Sequence, residues 1–353
     1  MRVLVLNVGS SSIKGSIVDS RDSSALAQDE LSLGTDATRR RGFDRTVRQL
    51  LDRMSAGKRQ AVDAVGHRVV HGGTRFRSAV RVTANVLRGI EELAEFAPLH
   101  NRVAAHGIRA ATAALPGLPQ VASFDTAFHA TLSEEQFLYP VPWAWHRRYG
   151  VRRFGFHGLS VEWSTGRAAE QLGRPAAELG LVVAHLGSGC SVTAILGGRS
   201  VATSMGLTPM EGLMMGTRSG SIDPGILIYL LRTRRAGWRE LEEKLDHQSG
   251  LVGVAGRRLG MRELQAAAGK GDKRAKLAID MFVGRTAAGI AAAATALPRV
   301  DGLVFTGGIG EHSAPVREAV MERLRTVAIG HVLVIEARED AVVASQVSSL
   351  LSR

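Results

Sequence analysis

Two stretches of this 353-residue chain echo each other, and together they restrict what it can fold into. Residues 3–18 read VLVLNVGSSSIKGSIV and residues 181–196 read LVVAHLGSGCSVTAIL; setting Gly9 on Gly187 gives an offset of 178 residues, about half the chain. Each is an apolar run, a turn of small residues and a second apolar run, the pattern of strand, turn, strand. An ordinary hairpin turn has no need of three consecutive serines followed by Lys14, so the surplus of donors points to an anion. Two similar halves offering such turns to one ligand would suit a polyphosphate. The competing reading is a chance likeness of two Gly/Ser hairpins.

A chain of this length, 45% hydrophobic and 22% charged, has the material for two domains with cores of their own. The most apolar later piece, residues 289–297, is too short to cross a bilayer, and no targeting pattern stands out. No membrane association is expected, and the compartment expected is the cytoplasm. The single cysteine, Cys190, excludes an intrachain disulfide and any multi-cysteine metal site. The net charge of +12 is spread over short basic groups, at 38–45, 145–154 and 230–235, without a long tract, an RNP-like strand or zinc-finger spacing. That distribution reads as solvated surface rather than a nucleic-acid face.

A third glycine-rich element lies at 301–324. It predicts a strand at Leu303 to Phe305, a turn through Gly307, Gly308 and Gly310, and a helix from about Pro315 with Val316, Val320 and Leu324 on one face. Between the glycine elements lie segments too polar to be linkers. In GHRVVHGG (66–73), strand alternation turns Arg68 away from Val69 and to the side of Val70, so a guanidinium can clamp a carboxylate while its neighbour packs on an alkyl group. A lone arginine at a strand end is otherwise a surface ion pair. FDTAFH (124–129) sets Asp125 and His129 four apart, and FGFHGLS (154–160) puts His157 between an aromatic residue and a glycine. Histidines in such company are also ordinary hydrogen-bonded core residues. The segment 203–225 interleaves methionine and leucine with glycine before delivering Arg218, a pattern that buries a loop and aims a guanidinium inward, towards Arg68.

The ordered set NVGSSSIK, GHRVVHGG, APLHN, FDTAFH, FGFHGLS, HLGSG, TPMEGLMMGTRSG and FTGGIGE resembles the acetate kinase family, within the superfamily of sugar kinases, actin and heat-shock chaperone ATPases. The resemblance runs from residue 1 to about 318. It implies an α/β fold: two ribonuclease-H-like, actin-like ATPase domains from a duplicated core, at 1–145 and 146–353, with an interdomain cleft and the extreme C-terminus packing back on the N-terminal domain. It implies reversible phosphoryl transfer from ATP to acetate or a similar short carboxylate, with Mg²⁺ (or Mn²⁺) as cofactor, small-molecule substrates as the partners and a homodimer as the assembly.

Carried over residue by residue, the resemblance gives Arg68 the carboxylate, Arg218 and His157 the developing charge, and Asp125 the active-site acid. A carboxylate acceptor is already an anion at neutral pH and requires no general base. Val70, Leu99, His100, Phe156 and Pro209 fall at the substrate pocket. Val70 leans the preference towards acetate, slightly, since one methylene is worth about 1–3 kcal/mol there. Asn7 matches a metal-linked position, and Ser10, Ser12 and Lys14 line the first turn. His185, Gly187, Ser188 and Gly189 match the second phosphate turn, and Gly308, Ile309, Gly310 and Glu311 the third.

The sequence departs from the family pattern on the donor side. Ser188 and His312 stand where asparagine is usual, Gly260 where an aspartate attends the nucleoside, and Glu339 is the nearest match to a C-terminal metal motif. GTP or pyrophosphate as donor, propionate as acceptor, and a non-catalytic nucleotide-binding switch are the alternatives.

Overall fold

The structure, a computed structural model, describes residues 1–9, 12–32, 40–56 and 62–352. In chain order, β1 (Arg2–Val8), β2 (Ser12–Asp19) and β3 (Ala25–Ser32) are followed by α1 (Arg40–Ala56), β4 (Ala64–Val69), β5 (Val80–Arg81), α2 (Ala84–Glu92), α3 (Pro98–Ala114) and β6 (Gln120–Phe124). Next come α4 (Glu134–Phe137), α5 (Trp143–Tyr149), α6 (Gly158–Leu172), β7 (Gly180–Leu186), β8 (Cys190–Leu196) and β9 (Arg199–Thr203). Five helices follow: α7 (Pro224–Arg232), α8 (Trp238–His247), α9 (Gly250–Ala255), α10 (Met261–Gly269) and α11 (Lys273–Ala294). The chain ends with β10 (Val300–Thr306), α12 (Gly307–His312), α13 (Ala314–Arg323), β11 (Ile329–Val334) and α14 (Glu339–Leu351).

Two compact units result. The first comprises Met1–Ala130, Phe156–Trp163 and Arg338–Arg353; the second comprises Thr131–Gly155 and Ser164–Ala337. The first holds the sheet β3-β2-β1-β4-β6-β5 and the second the sheet β11-β10-β7-β8-β9. In each, three antiparallel strands lead into two parallel ones: β1 pairs antiparallel with β2 and parallel with β4, as β7 does with β8 and β10. Shifting Arg2–Val8 by 178 residues lands on Gly180–Leu186, so the sequence echo marks a duplicated α/β core, the actin-like ATPase fold.

Val3 to Leu6 is buried without interruption, as a central strand covered on both faces requires. One face carries Val47, Leu50 and Met54 of α1, at helical spacing, against Leu4, Leu6 and Ile13. The other carries Val342, Val343 and Val347 of α14 against Val3, Val5 and Val18. Gly66 of β4 makes that second contact close: a Cβ there would lie 2.5 Å from Val343 Cγ1 and 3.0 Å from Val347 Cγ2.

Two expectations change in detail. The glycine run after β10 is not an open turn. Gly307, at φ +75°, bends the chain, and Gly307–His312 then coils as α12 before α13. Most of the apolar piece at 289–297 belongs to α11, whose 22 residues satisfy the length and composition of a membrane span. Ala275, Ala278, Phe282, Thr286 and Ile290 are buried at intervals of three and four, so the helix lays one face on the core of the second unit.

Candidate active site

In the first unit, β-sheet register assembles a polar row at the ends of apolar strands. Lys14 lies opposite Asn7, Asn7 opposite Arg68, and Arg68 opposite Ser123. Residues directly opposite on paired strands share a face. Lys14, largely exposed, ion-pairs with Glu30 of β3 at 3.5 Å. Ser12 also hydrogen-bonds Glu30, and with Lys14 it holds that carboxyl below its ordinary range. Ser10 lies outside the described residues.

Arg68 is braced from two directions. Its Nε donates to Asp125 Oδ1 at 3.0 Å, Nη2 donates to Asp125 Oδ2 at 2.8 Å, and Nη1 donates to Glu339 Oε2, in the first turn of α14, at 2.8 Å. Burial works against the guanidinium's charge, but the two carboxylates outweigh it and raise its pKa above the usual value. A guanidinium has five N–H donors and these contacts engage three, so two remain for a further anion.

Asp125 also organises its surroundings through its backbone. Its N–H donates to Val69 C=O at 3.0 Å and its C=O accepts from Gly158 N–H at 2.9 Å. Only glycine fits at 158, because a Cβ there would stand 2.2 Å from Asp125 O. This contact brings in the preceding His157, which sits at φ +59°, a left-handed conformation uncommon for a side-chain-bearing residue and costly to hold. Phe156, fully buried, accepts a 3.0 Å hydrogen bond from His129 Nε2 at its carbonyl and meets His71 edge-on. Burial pushes His129 down to about 4, leaving it neutral and donating.

Val70 follows β4 directly and is half-buried, as is His100 on α3; the side chain of Leu99 lies outside the described residues. Asn101, one position beyond His100, was not a candidate from the sequence. It is fully buried, accepts from His71 N–H and donates to the carbonyls of His71 and Ile90, fixing the backbone next to Val70.

In the second unit, Arg218 lies in an irregular segment between β9 and α7. Met205, Leu213, Met214 and Met215 of that segment are buried, as the Met-rich pattern predicts. Arg218 Nε donates to Asp246 Oδ1 at 2.8 Å and Nη1 donates to the carbonyl of Pro209 at 3.2 Å. The segment is tied further back by Glu211, which accepts from Tyr139 Oη and, at 2.8 Å, from Arg153 Nη2; Arg153 Nη1 donates to the carbonyls of Ser204 and Met205. Glu211 and Asp246 are further residues the sequence reading missed. Glu211 stood out only as a lone acid among methionines and glycines, and Asp246 had no local signal.

The second unit also gathers the two later glycine elements at the C-terminal ends of adjacent parallel strands, where open α/β sheets present ligands. Gly187 N–H donates to Gly189 C=O at 3.0 Å, closing the β7–β8 turn, while the exposed Ser188 accepts from Gly216 N–H. A Cβ on Gly187 would lie 4.0 Å from Gly308 N and 3.6 Å from His185 Nε2. A Cβ on Gly308 would meet nothing within 4 Å. Ile309 and Gly310 follow in α12, and Glu311 Oε1 accepts from Ala337 N–H. Gly260 caps α10, its N–H donating to Glu263 Oε2, and His312 is exposed at the end of α12.

The arrangement supplies, in one unit, a braced arginine beside an amide and two carboxylates, and in the other an arginine and two glycine-rich elements at adjacent strand ends. Comparison with known proteins agrees with that chemistry. The sequence matches the Acetokinase family over residues 2–350. It is 48% identical over 343 residues to an acetate kinase of Deinococcus deserti, covering 92% of this chain and 86% of that protein. The structure matches a propionate kinase of Francisella tularensis (TM-score 0.90, 35% identity, 98% of each chain) and an acetate kinase of Porphyromonas gingivalis (TM-score 0.90, 33% identity, 99% of each chain). With braced guanidinium groups and phosphate-suited turns on the fold those proteins share, the chain belongs to the acetokinase family, phosphotransferases whose acceptor is a carboxyl group.

Proposed function

We propose that this protein reversibly transfers the γ-phosphoryl group of ATP to acetate, or a carboxylate of similar size, giving acetyl phosphate and ADP. A carboxylate oxygen forms the new bond to phosphorus as the bond from phosphorus to the bridging oxygen of ADP breaks. No proton moves. The transferring group spreads negative charge over three equatorial oxygens, so the protein's task is positioning and charge neutralisation.

The observation that carries this reading is the state of Arg68: charged, half-buried, immobilised by Asp125 and Glu339, and still holding two uncommitted N–H groups. Arg68 binds the acceptor carboxylate, and Asp125 orients Arg68. Val70, Leu99, His100, Phe156 and Pro209 are assigned to recognition of the acyl group. Arg218 and His157 neutralise charge on the migrating group. Ser10, Ser12, Lys14, His185 and the turns at Gly187–Gly189 and Gly308–Glu311 receive the phosphates.

Mg²⁺, with Mn²⁺ as a substitute, would be held by Asn7 and Glu339. Their oxygens suit a hard cation, and register puts Asn7 beside Arg68, the residue Glu339 touches. Among the described residues no cluster of three His, Cys, Asp or Glu forms a protein-only cage. When bound, the ion neutralises phosphate charge.

The protein acts in the cytoplasm as a homodimer. In support, Ile226, Ile228, Tyr229 and Leu231 leave much of α7 apolar and exposed, as Trp143, Trp145 and Tyr149 do α5. Sedimentation velocity at micromolar protein tests this, and a monomer at all concentrations overturns it.

The activity is tested by trapping acetyl phosphate with hydroxylamine, offering acetate or propionate with ATP, GTP or pyrophosphate. Hydroxamate formed with acetate and ATP is the expected result. Turnover with GTP or pyrophosphate alone would move the donor assignment, a reading favoured by the side-chain-free Gly260 at the head of α10. No hydroxamate from any combination overturns the proposal.

A further inference from the structure

Arg218 has no helix or strand to orient it, yet its position is tightly specified. Thr217 Oγ1 donates to Asp246 C=O at 2.8 Å, Ser219 N–H donates to Leu245 C=O at 3.1 Å, and Ser249 N–H donates to Thr217 C=O at 2.8 Å. The backbone on either side of Arg218 is thereby laced to the last turn of α8 and the start of α9. Gly250, at φ +61°, completes the seam: a Cβ there would lie 2.1 Å from Met215 O and 2.6 Å from Arg218 O.

The side chain is held from the same place. Arg218 Nε meets Asp246 Oδ1 at 2.8 Å, with the two side chains 21% and 18% exposed, while Nη1 is directed to Pro209 O and Met215 Sδ. Among the described residues Nη2 has no hydrogen-bond partner. A carboxylate gripping the Nε edge sets the plane of the guanidinium and leaves its far edge available. Arg68 is likewise gripped at Nε by a carboxylate, there together with Nη2, which Arg218 keeps available.

We propose that Asp246 is a positioning residue for phosphoryl transfer: from the end of α8 it fixes the plane of Arg218 so that Nη2 is presented to the reacting anion. The proposal rests on the reading of Arg218 as a charge-neutralising group. Asp246 itself touches no substrate.

The test compares wild type with Asp246→Ala, Asp246→Asn, Arg218→Ala and Arg218→Ala/Asp246→Ala in the hydroxamate assay, with thermal melts in parallel. Asp246→Ala is expected to lower kcat about 100-fold, the scale of a misplacement near 1 Å, with KM for ATP unchanged. Asp246→Asn, which keeps an acceptor for Nε at nearly the same shape, recovers about tenfold of that. Adding Asp246→Ala to Arg218→Ala costs nothing further, because the residue to be positioned is gone. If Asp246→Ala does not fold, the same comparison is made with Asp246→Asn in both backgrounds. Wild-type kcat in the Asp246 variants beside a crippled Arg218→Ala overturns the positioning role and leaves the role of Arg218 intact. An equal loss in both backgrounds overturns it as well, marking Asp246 as merely structural. Wild-type kcat in Arg218→Ala removes the role of Arg218 and the proposal with it.

Discussion

Replacing Arg68 by alanine separates what this residue does for the fold from what it does for the reaction. The side chain is 16% exposed and its partner Asp125 only 2%, so the substitution strips a buried carboxylate of its counter-charge. Breaking a buried pair in this way costs about 3–5 kcal/mol. Glu339, 21% exposed, recovers water and adds little. Against a stability of about 5–15 kcal/mol typical of folded domains, the variant is weakened but still folded at 25 °C. Its activity should fall separately: losing one preorganised charge from the proposed reacting centre costs about 2.7–4 kcal/mol, or 10²–10³ in kcat. The hydroxamate assay at saturating ATP measures the second effect and urea unfolding the first. The double variant Arg68→Ala/Asp125→Ala removes the stranded carboxylate, so it should regain most of the lost stability and none of the activity. A folded Arg68→Ala with kcat/KM within threefold of wild type refutes the reasoning, and so does a double variant whose activity returns with its stability.

If Val70 meets the acyl group as proposed, Val70→Ala should raise kcat/KM for propionate relative to acetate about tenfold, within the ~1–3 kcal/mol that a methylene commands. His67 and His129 are both depressed to about 4 from 6.5 by burial, so the unfolded chain binds more protons than the native one between those values and stability is lost as pH falls. From pH 7 to 5.5 the two together should cost about 2.5 kcal/mol; urea midpoints that do not move over that interval contradict it. Gly206→Ala would drive a Cβ to 1.7 Å from Glu211 Oε2 and 2.1 Å from Tyr139 Oη, and the forced rearrangement should destabilise by about 1–3 kcal/mol, read from the urea midpoint.

The duplicated hairpins were legible because strand, turn and strand are local. Alternation and continuous apolar runs announce strands, and small residues announce the turn between them. A shift of 178 residues carried β1 onto β7 for the same reason. Local pattern was less reliable where two conformations share a composition. The glycines after β10 suit an open turn and the first turn of α12 equally, and the choice fell to the single positive φ at Gly307. In the same way the apolar stretch at 289–297 could not reveal that its helix begins at Lys273, because the preceding residues interleave charge with small apolar side chains. Arg68, Asp125, His157 and Arg218 stood out as polar residues in apolar surroundings. Asp246, which restrains Arg218, did not.

The α/β class and the repeat could be read from order and periodicity along the chain, and the family from the resemblance of its ordered motifs, which also supplied the candidate residues. Tertiary structure alone decided the company each charge keeps: Glu339 on Arg68 across 271 positions, Asp246 on Arg218 across 28, and Glu211 between Tyr139 and Arg153. Electrostatic partners are selected by distance in space and by desolvation. Neither leaves a periodic trace in the sequence, so the packing of α14, α8 and the Met-rich segment had to be known before those pairs could be named.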